Sequence, residues 1–378
     1  MKTKILIAVL LINGFIYAQD TRFDSLITAG VDQIYSIKFA QAQQTFSIVQ
    51  KEYPNHPAGK FFTAMIDWWK ILIDLDNESM DDKFYDKLDE VIDQCDDLLD
   101  KNPNNVDALF FKGGSLGFEA RLLAIRESWF KAALDGKDAL PLVYKAYELD
   151  PKNVDVQLGF GIYNYYAEVI PQKYPVVKPF MAFFPSGNKE KGLKQLENVA
   201  YNGKYAKIES RYFLMTLNFQ YEENYAEALK YGKMLIEQFP DNPQFERYYG
   251  AIYVRKNDYT SAVKIFRDVL DKCNKGLTGY NERARREANY YIGQDYMNRN
   301  IADSAKTYFS KSEQLSRKID DDEPSGFLLN AVLYLGMLND QLGNRAEAIK
   351  YYKEVLDMKD RGDNHKKAEQ YLKTPYKK

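Results

Sequence analysis

Three glycines in the second half of the sequence recur at a spacing of 43 residues, at Gly250, Gly293 and Gly336. Their neighbours recur at the same spacing, which relates Tyr248 to Tyr291 and Tyr334, Ala262 to Ala305 and Ala348, and Phe266 to Phe309 and Tyr352. A period of this length, built from residues at helical spacing, predicts a solenoid of stacked helix pairs.

A single repeat shows why these residue types recur. At Gly250 the missing side chain lets a second helix approach the first helix closely, and the neighbouring aromatic residues fill the space between them. Polar residues at 256–258 then interrupt the helical pattern. Ala262, Phe266 and Val269 follow at helical spacing, so they form the inward stripe of the returning helix.

This pattern resembles the tetratricopeptide repeat, in which Gly-x2-Tyr on a first helix precedes Ala-x3-Phe on a second helix. The matching residues here are Gly250, Tyr253, Ala262, Phe266 and Val269. The usual repeat has 34 residues, so the longer period lengthens the linker or the first helix. The resemblance implies an all-α protein, a right-handed superhelical solenoid of about eight antiparallel helix pairs.

The chain is predicted to have three parts. Residues 1–18 have a basic start, an apolar run and a small-residue cleavage site at Ala18, which is typical of a secretory signal peptide. Residues 19–203 contain irregular repeats, and residues 204–378 contain the regular repeats and a capping helix. No cysteine follows the apolar run, so no lipid anchor is expected. The mature protein is predicted to be periplasmic or secreted, with the periplasm favoured.

A proline-rich and aromatic insertion at 169–187 interrupts the repeats. Its apolar residues either fold back and cap the solenoid groove, or present a patch to a partner or a membrane surface. The segment 159–196 resembles a helix–loop–helix passage of the inclusion-body-clearance family, which implies that the insertion belongs to the architecture. The candidate partner-binding residues in this region are Tyr163, Tyr166, Phe180, Phe183 and Phe184.

A second candidate surface lies on the first helices of the regular repeats. The carboxylate clamp of chaperone-binding tetratricopeptide proteins is missing, because apolar or unsuited residues stand at its positions. The surface instead carries Arg247, Arg255, Tyr290, Gln294 and Asn298, with Arg283, Arg285 and Arg286 at its edge. This mixture suits an extended peptide or a polar ligand, and ordinary surface variation explains it equally well.

Catalytic motifs are weak in this sequence. The segment Gly113-Gly-Ser115-Leu-Gly117 matches the hydrolase pattern Gly-x-Ser-x-Gly, but it follows no predicted strand. Only His56 and His365 could serve as bases, and no phosphate-binding loop or metal motif is present. The acidic segment 74–78 lacks the glycine that a calcium loop requires. We therefore predict a protein that is not an enzyme and has no cofactor or metal.

Cysteine content and charge narrow the function further. Cys95 and Cys273 are expected to be buried free thiols, because several repeats separate them. A net charge of −2, with more lysine than arginine, gives no reason to expect nucleic acid as a partner. No apolar segment after the signal peptide is long enough to span a membrane, and contact of 170–185 with a membrane surface is kept as an alternative.

These observations predict a non-catalytic, exported scaffold that binds a partner protein or extended peptide along its concave groove. The alternative is a carbohydrate or small-solute binding protein of the cell envelope, with Trp69 or Tyr163 as an aromatic platform.

Overall fold

All regular secondary structure among the described residues is helical. The computed structural model describes residues 21–178, 184–320 and 323–377, and the predicted signal peptide lies outside them. Contacts divide the chain into two units. Unit 1 comprises residues up to Glu222 together with Glu237–Pro240, and unit 2 comprises Glu223–Ile236 together with Asp241–Lys378. Both consist of helical hairpins in sequence, which confirms the predicted all-α, tetratricopeptide-like solenoid.

Seventeen helices are present in this part of the chain, and their order corresponds to eight consecutive pairs followed by a final helix. Those of unit 1 are α1 (21–35), α2 (Phe39–Glu52), α3 (Ala58–Ile73), α4 (Asp81–Lys101), α5 (Val106–Ile125), α6 (Trp129–Leu149), α7 (Gln157–Lys173), α8 (Lys189–Asn202) and α9 (Lys207–Gln220). Those assigned to unit 2 are α10 (Tyr225–Gln238, apart from its last two residues), α11 (Pro243–Arg255), α12 (Tyr259–Asn274), α13 (Glu282–Asn298), α14 (Ala302–Ile319), α15 (Gly326–Gln341), α16 (Arg345–Asp357) and α17 (Asn364–Lys373).

The glycines of the 43-residue period lie where the two helices of a pair touch. A methyl group added at Gly336 would lie 2.6 Å from the ring of Tyr352, and one at Gly250 would lie 2.8 Å from the ring of Phe266. These distances are shorter than a van der Waals contact, so each glycine allows a ring of the second helix to rest directly on the first helix.

Several turns inside the pairs contain a residue in the left-handed conformation. Ile37, Glu127, Asn257 and Asn300 all have a φ close to +60°, and Gly343 has a φ of +80°. From the sequence alone we expect one uninterrupted helix over 105–135, and the turn at Glu127 corrects that prediction. The helix α5 ends at Ile125 instead. Ser128, the N-cap residue of α6, is the only residue here that favours a turn, so the local sequence carries only a weak signal for it.

First helices from different parts of unit 1 converge on a buried ion pair. Arg121 of α5 donates from Nη1 to Oε1 of Glu209 in α9 at 2.7 Å, and the hydroxyl of Tyr35 in α1 donates to Oε2 at 3.2 Å. The guanidinium lies over Trp68 and Phe213, 4.7 and 4.4 Å from the ring centroids. Glu209 is only 5% exposed, so its charge depends on these partners.

The loop before α9 joins the same unit to its own first helix. The hydroxyl of Tyr205 donates to Asp24 in α1 at 2.7 Å. The buried carboxylate of Asp155 accepts hydrogen bonds from the backbone N–H groups of residues 204, 205 and 206. The first and last helices of unit 1 are therefore bonded to each other.

Replacement of the glycine in the last regular pair tests the glycine–ring contact. Gly336→Ala should lower the free energy of unfolding by about 1–2 kcal/mol, because overpacking against Tyr352 outweighs the gain in helix propensity. Gly136→Ala is the control, since no atom lies within 4 Å of the added methyl group. It should raise stability by about 0.5–1 kcal/mol. Urea unfolding measures both, and equal stability of the two variants would contradict the packing argument.

Removal of the charge of Glu209 tests whether the buried ion pair stabilises unit 1. Glu209→Gln leaves the guanidinium of Arg121 without its countercharge, so we expect a loss of about 3 kcal/mol in the free energy of unfolding. Asp100→Asn makes the same kind of change at an exposed position of α4 and should alter stability by less than about 0.5 kcal/mol. A similar loss of unfolding free energy in both variants would show that the Arg121–Glu209 pair contributes no more than an exposed charge.

Candidate functional site

The described end of the proline-rich insertion packs on its own helix. The hydroxyl of Tyr163 in α7 donates to the backbone oxygen of Pro185. A methyl group added at Gly187 would lie 2.6 Å from the backbone oxygen of Asn164, so the two backbones are in close contact. The carboxylate of Glu168 accepts from the backbone N–H of residue 189 at 2.8 Å. Residues 184–188 are therefore held against α7.

The predicted aromatic residues near this insertion have different positions. Tyr166 is half-buried and packs edge-on to Tyr165 and Tyr221, with ring centroids at 5.4 and 5.8 Å. Phe184 is also half-buried, while Phe180 and Phe183 lie outside the described residues. Tyr163 and Tyr166 thus take part in the packing of unit 1.

The second predicted surface is the first-helix face of unit 2, formed by α11, α13 and α15. An ion pair joins the first two of these helices, since Nε of Arg247 donates to Oε2 of Glu287 at 2.5 Å. The side chain of Glu287 is only 9% exposed. Tyr290 of α13 is buried, and its ring packs on Phe327 and Tyr334 at the α15 side, at 5.1 and 6.1 Å. The three helices are therefore joined beneath this face.

The amide of Gln294 lies beside these groups. Its Nε2 donates to the hydroxyl of Tyr290 at 3.1 Å. Its Oε1 is buried and has no hydrogen-bond partner among residues 21–178, 184–320 and 323–377. Arg255 and Asn298 lie on the same two helices and are exposed to solvent. Gln294 is therefore in direct contact with the buried Tyr290, and Arg255 and Asn298 are the exposed members of the predicted set.

The tyrosines of this face are neutral hydrogen-bonding groups. Burial, followed by the nearby Tyr334 hydroxyl, raises the pKa of Tyr290 well above its usual value. Burial and the charge of Glu287 likewise raise the pKa of Tyr291, against the opposing effect of Arg255 and Arg247. These hydroxyls therefore keep their protons throughout the physiological pH range.

Sequence reasoning missed Glu287, Tyr291, Phe327 and Tyr334 as members of the face. Two of them did carry a signal, because Tyr291 and Tyr334 are related by the 43-residue period. Glu287 carried none, since only the packing of α11 against α13 brings it to Arg247.

Neither Arg285 nor Arg286 is an exposed group at the edge of this face. Arg286 is buried and pairs with Asp320 at 2.7 Å, with its guanidinium over the ring of Phe327. Arg285 donates to the side chain of Asn274 at 2.5 Å and lines a separate open cavity of about 440 Å³. Helical spacing explains the difference, because neighbouring residues of one helix point to different sides.

The hydrolase-like segment is helical in the structure. Gly113 is inside α5, where an added methyl group would lie 2.8 Å from the side chain of Val143. Ser115 is fully buried in the same helix. A buried serine in a helix interior has none of the exposure that the strand-to-helix turn of a hydrolase gives its nucleophile.

The described residues provide no metal site, and both cysteines are buried. Among the described histidine, cysteine, aspartate and glutamate residues, no group has the geometry to hold a metal ion. Cys95 and Cys273 are buried free thiols, as predicted. Burial is the largest cause that raises the pKa of Cys95 to about 12, and it raises that of Cys273 as well.

Two segments of the chain match family models described as tetratricopeptide repeat, at residues 217–276 and 330–358. Each segment contains one of the three periodic glycines. No curated protein matches the chain in sequence. The matches and the helix pairs together define a tetratricopeptide-like solenoid. Within the described residues, no helix has the length and apolar character needed to cross a membrane.

Several solved structures are similar to this chain at low sequence identity. The APC/C hetero-tetramer Cut9–Hcn1 is similar at 16% identity and a TM-score of 0.52, over 89% of this chain and 52% of that one. Yeast Tom70 is similar at 14% identity and a TM-score of 0.41, over 92% and 80% of the two chains. Pseudomonas aeruginosa pilF is similar at 12% identity and 0.41, over 65% and 96%. The chain spans about half the length of the first of these, and the similarity concerns the fold alone.

The buried thiols allow a direct chemical test of this packing. In the folded protein, Ellman's reagent at pH 8 should modify neither cysteine within minutes, because the thiols are shielded and their pKa values are raised. Both should react after denaturation. An Asn298→Cys variant, with one exposed thiol added, should react at once and serves as the control. Rapid reaction of the unsubstituted protein would contradict the burial of Cys95 and Cys273.

Proposed function

We propose that this protein is a non-catalytic, exported scaffold that binds an extended segment of a partner protein on the first-helix face of unit 2. The observation that carries the proposal is that exposed polar groups stand on a face whose supporting groups are already paired. Arg255 and Asn298 are exposed to solvent, while the Arg247–Glu287 pair and the ring of Tyr290 fix the helices below them.

An extended peptide suits the chemistry of this face. Every residue of such a peptide except proline offers backbone N–H and C=O groups. Arginine can donate to the C=O groups, and amide side chains can bond to both kinds of group. Half-buried tyrosine rings, here Tyr291 and Tyr334, add contact area at a low cost in conformational entropy. Because the helices are joined in advance, little ordering is needed on binding.

The fold is compatible with this role. The Cut9–Hcn1 crystal structure is that of a hetero-tetramer, so a chain with a similar fold occurs there in an assembly with another protein. Helical solenoids bind partners on extended surfaces made by successive repeats. The exposed residues above the Arg247–Glu287 pair support this role, and the solenoid fold is consistent with it.

Export is the second component of the proposal. The basic start, the apolar run and Ala18 support cleavage of a signal peptide and a place in the periplasm or outside the cell. The inclusion-body-clearance resemblance implies that the insertion is part of the folded solenoid. The hydrogen bond from Tyr163 to Pro185 and the close contact of Gly187 with α7 support this idea. Amino-terminal sequencing of the protein from its native cells should give Gln19 as the first residue, and an uncleaved chain would contradict export.

The alternative function as a carbohydrate binder is less well supported. Trp69 is only 1% exposed, and Tyr163 is bonded to the backbone of the insertion. Neither ring is therefore an open platform for stacking on a sugar.

Site-specific photocrosslinking tests the proposed binding face. A benzophenone amino acid at position 298 should crosslink a partner protein in native cells, whereas one at position 367 on α17 should not. Both positions are exposed. The additional change Arg255→Glu should reduce the crosslink at 298 by about tenfold, because it reverses the charge of a side chain that contacts the partner.

Two outcomes would contradict this proposal. One is equal crosslinking at both positions, which would show no preference for the first-helix face. Lys367→Glu is the control charge reversal, at the exposed position on α17. The other contradicting outcome is that Lys367→Glu reduces the crosslink at 298 while Arg255→Glu leaves it unchanged.

A further inference from the structure

Unit 2 contains an open cavity that is bordered by the second helices of two successive pairs, α12 and α14, and by α13 between them. Its volume is about 440 Å³, which is in the usual range for small-molecule sites. Its lining includes three cationic side chains, Arg285, Lys311 and Lys318, together with amide and leucine side chains. None of these three is among the residues of the first-helix face that are proposed to bind a partner.

The positive charge at this cavity is only partly neutralised by the chain. Nη1 of Arg285 donates to the neutral side chain of Asn274 at 2.5 Å. Neither Arg285 nor Lys311 forms an ion pair with a carboxylate of the described residues. Lys318 does, since its Nζ lies 2.6 Å from Glu282. Two of the three cations therefore have no counterion from the described part of the chain.

Acidic residues that are close in sequence bind other cations. Asp271 of α12 pairs with Lys275 at 2.5 Å, and Asp320 pairs with Arg286 at 2.7 Å. No acidic residue is present among the described residues that line the cavity. An anion at this lining would therefore meet positive and neutral groups.

Hydrogen bonds within the lining hold its donors in place. The bond to Asn274 fixes one nitrogen of the half-buried Arg285, and the other N–H groups of the guanidinium fork have no partner among the described residues. Asn289 is 3% exposed, and its Nδ2 donates to the backbone oxygen of Arg285 at 2.7 Å. An amide nitrogen has two N–H groups, so one is left for a ligand.

The apolar part of the lining indicates what else the ligand carries. Leu270 of α12 and Leu315 of α14 both border the cavity and are half-buried. Contact with an apolar group would remove the rest of their surface from water, which is favourable. This combination suits an organic anion better than a bare inorganic ion.

We propose that this cavity binds a small organic phosphate monoester. Such a group carries nearly two negative charges at neutral pH and has three acceptor oxygens. Its charge matches the two cations that lack a counterion, and its oxygens can bond to the guanidinium of Arg285 and to both lysines. The organic part of the ligand contacts Leu270 and Leu315. The inference goes beyond the proposed function, which concerns a protein partner on the first-helix face.

Isothermal titration calorimetry of the full chain with phenyl phosphate, at about pH 7.5, tests this site. We expect saturable binding with one ligand per chain. Inorganic phosphate should bind at least about fivefold more weakly, because it lacks the apolar group. Phthalate has a similar ring and charge but carries carboxylates, and it should also bind at least about fivefold more weakly.

Matched variants distinguish this site from general attraction to positive charge. Arg285→Gln and Lys311→Gln should each weaken the binding of phenyl phosphate by about fivefold or more, since each removes a charged donor. Arg299→Gln on α13 and Lys264→Gln on α12 remove the same charges at exposed positions outside the lining. These controls should change the affinity by less than about twofold.

Urea unfolding separates a loss of binding from a loss of folding. Phenyl phosphate should raise the unfolding midpoint of the unsubstituted protein as its concentration increases, because it binds the folded chain. Lys311 is exposed and has no ion pair with the described residues, so Lys311→Gln should leave the midpoint without ligand unchanged. The same variant should reduce the increase that the ligand causes.

Three results would overturn this inference. The first is the absence of binding at phenyl phosphate concentrations up to about 10 mM. The second is a loss of affinity in Arg299→Gln and Lys264→Gln as large as that in the cavity variants. The third is tighter binding of phthalate, which would rule out a phosphate site. Crosslinking at position 298 reports on the first-helix face and would be unaffected, so the two proposals fail independently.

Discussion

The contact between a glycine and an aromatic ring inside the three regular helix pairs of unit 2 is the interaction on which the periodic part of this protein depends. At Gly250 and Gly336 it brings the second helix so close that a single methyl group would collide with the ring. This close contact recurs every 43 residues along the sequence. It sets the position of each following first helix. The bond from Arg247 to Glu287 joins the first helices of two successive pairs of this kind.

The two buried glutamates of unit 1, Glu209 and Glu119, have opposite electrostatic surroundings. Glu209 has a guanidinium and a hydroxyl as partners, and both come from helices that are distant in sequence. Glu119 faces other carboxylates. The first arrangement stabilises the fold, whereas in the second burial raises the pKa of the carboxyl group to about 7. The first-helix face of unit 2 resembles the first case, since its charged support is already paired beneath the exposed residues Arg255 and Asn298.

The repeat and its helix pairs could be predicted from the sequence, because the period and the apolar spacing at Ala262 and Phe266 directly reflect helix packing. Local reasoning failed at Glu127, where a residue with no preference for turns adopts the left-handed conformation. It failed again for Arg285 and Arg286, since the orientation of each side chain depends on the exact rotation of α13. The pairing of Arg121 with Glu209 had no signal either, because their separation in sequence gives no hint of proximity.

The bonds between the first and last helices of unit 1 give this unit a property that a linear solenoid does not have. In a linear array each repeat touches only its neighbours, so end repeats can fray and whole repeats can be gained or lost. Here Asp24 bonds to Tyr205, and Tyr35 bonds to Glu209. The number of helix pairs between them is therefore fixed by geometry. Deletion or duplication of one pair would separate these partners, and Glu209 would lose the hydroxyl of Tyr35.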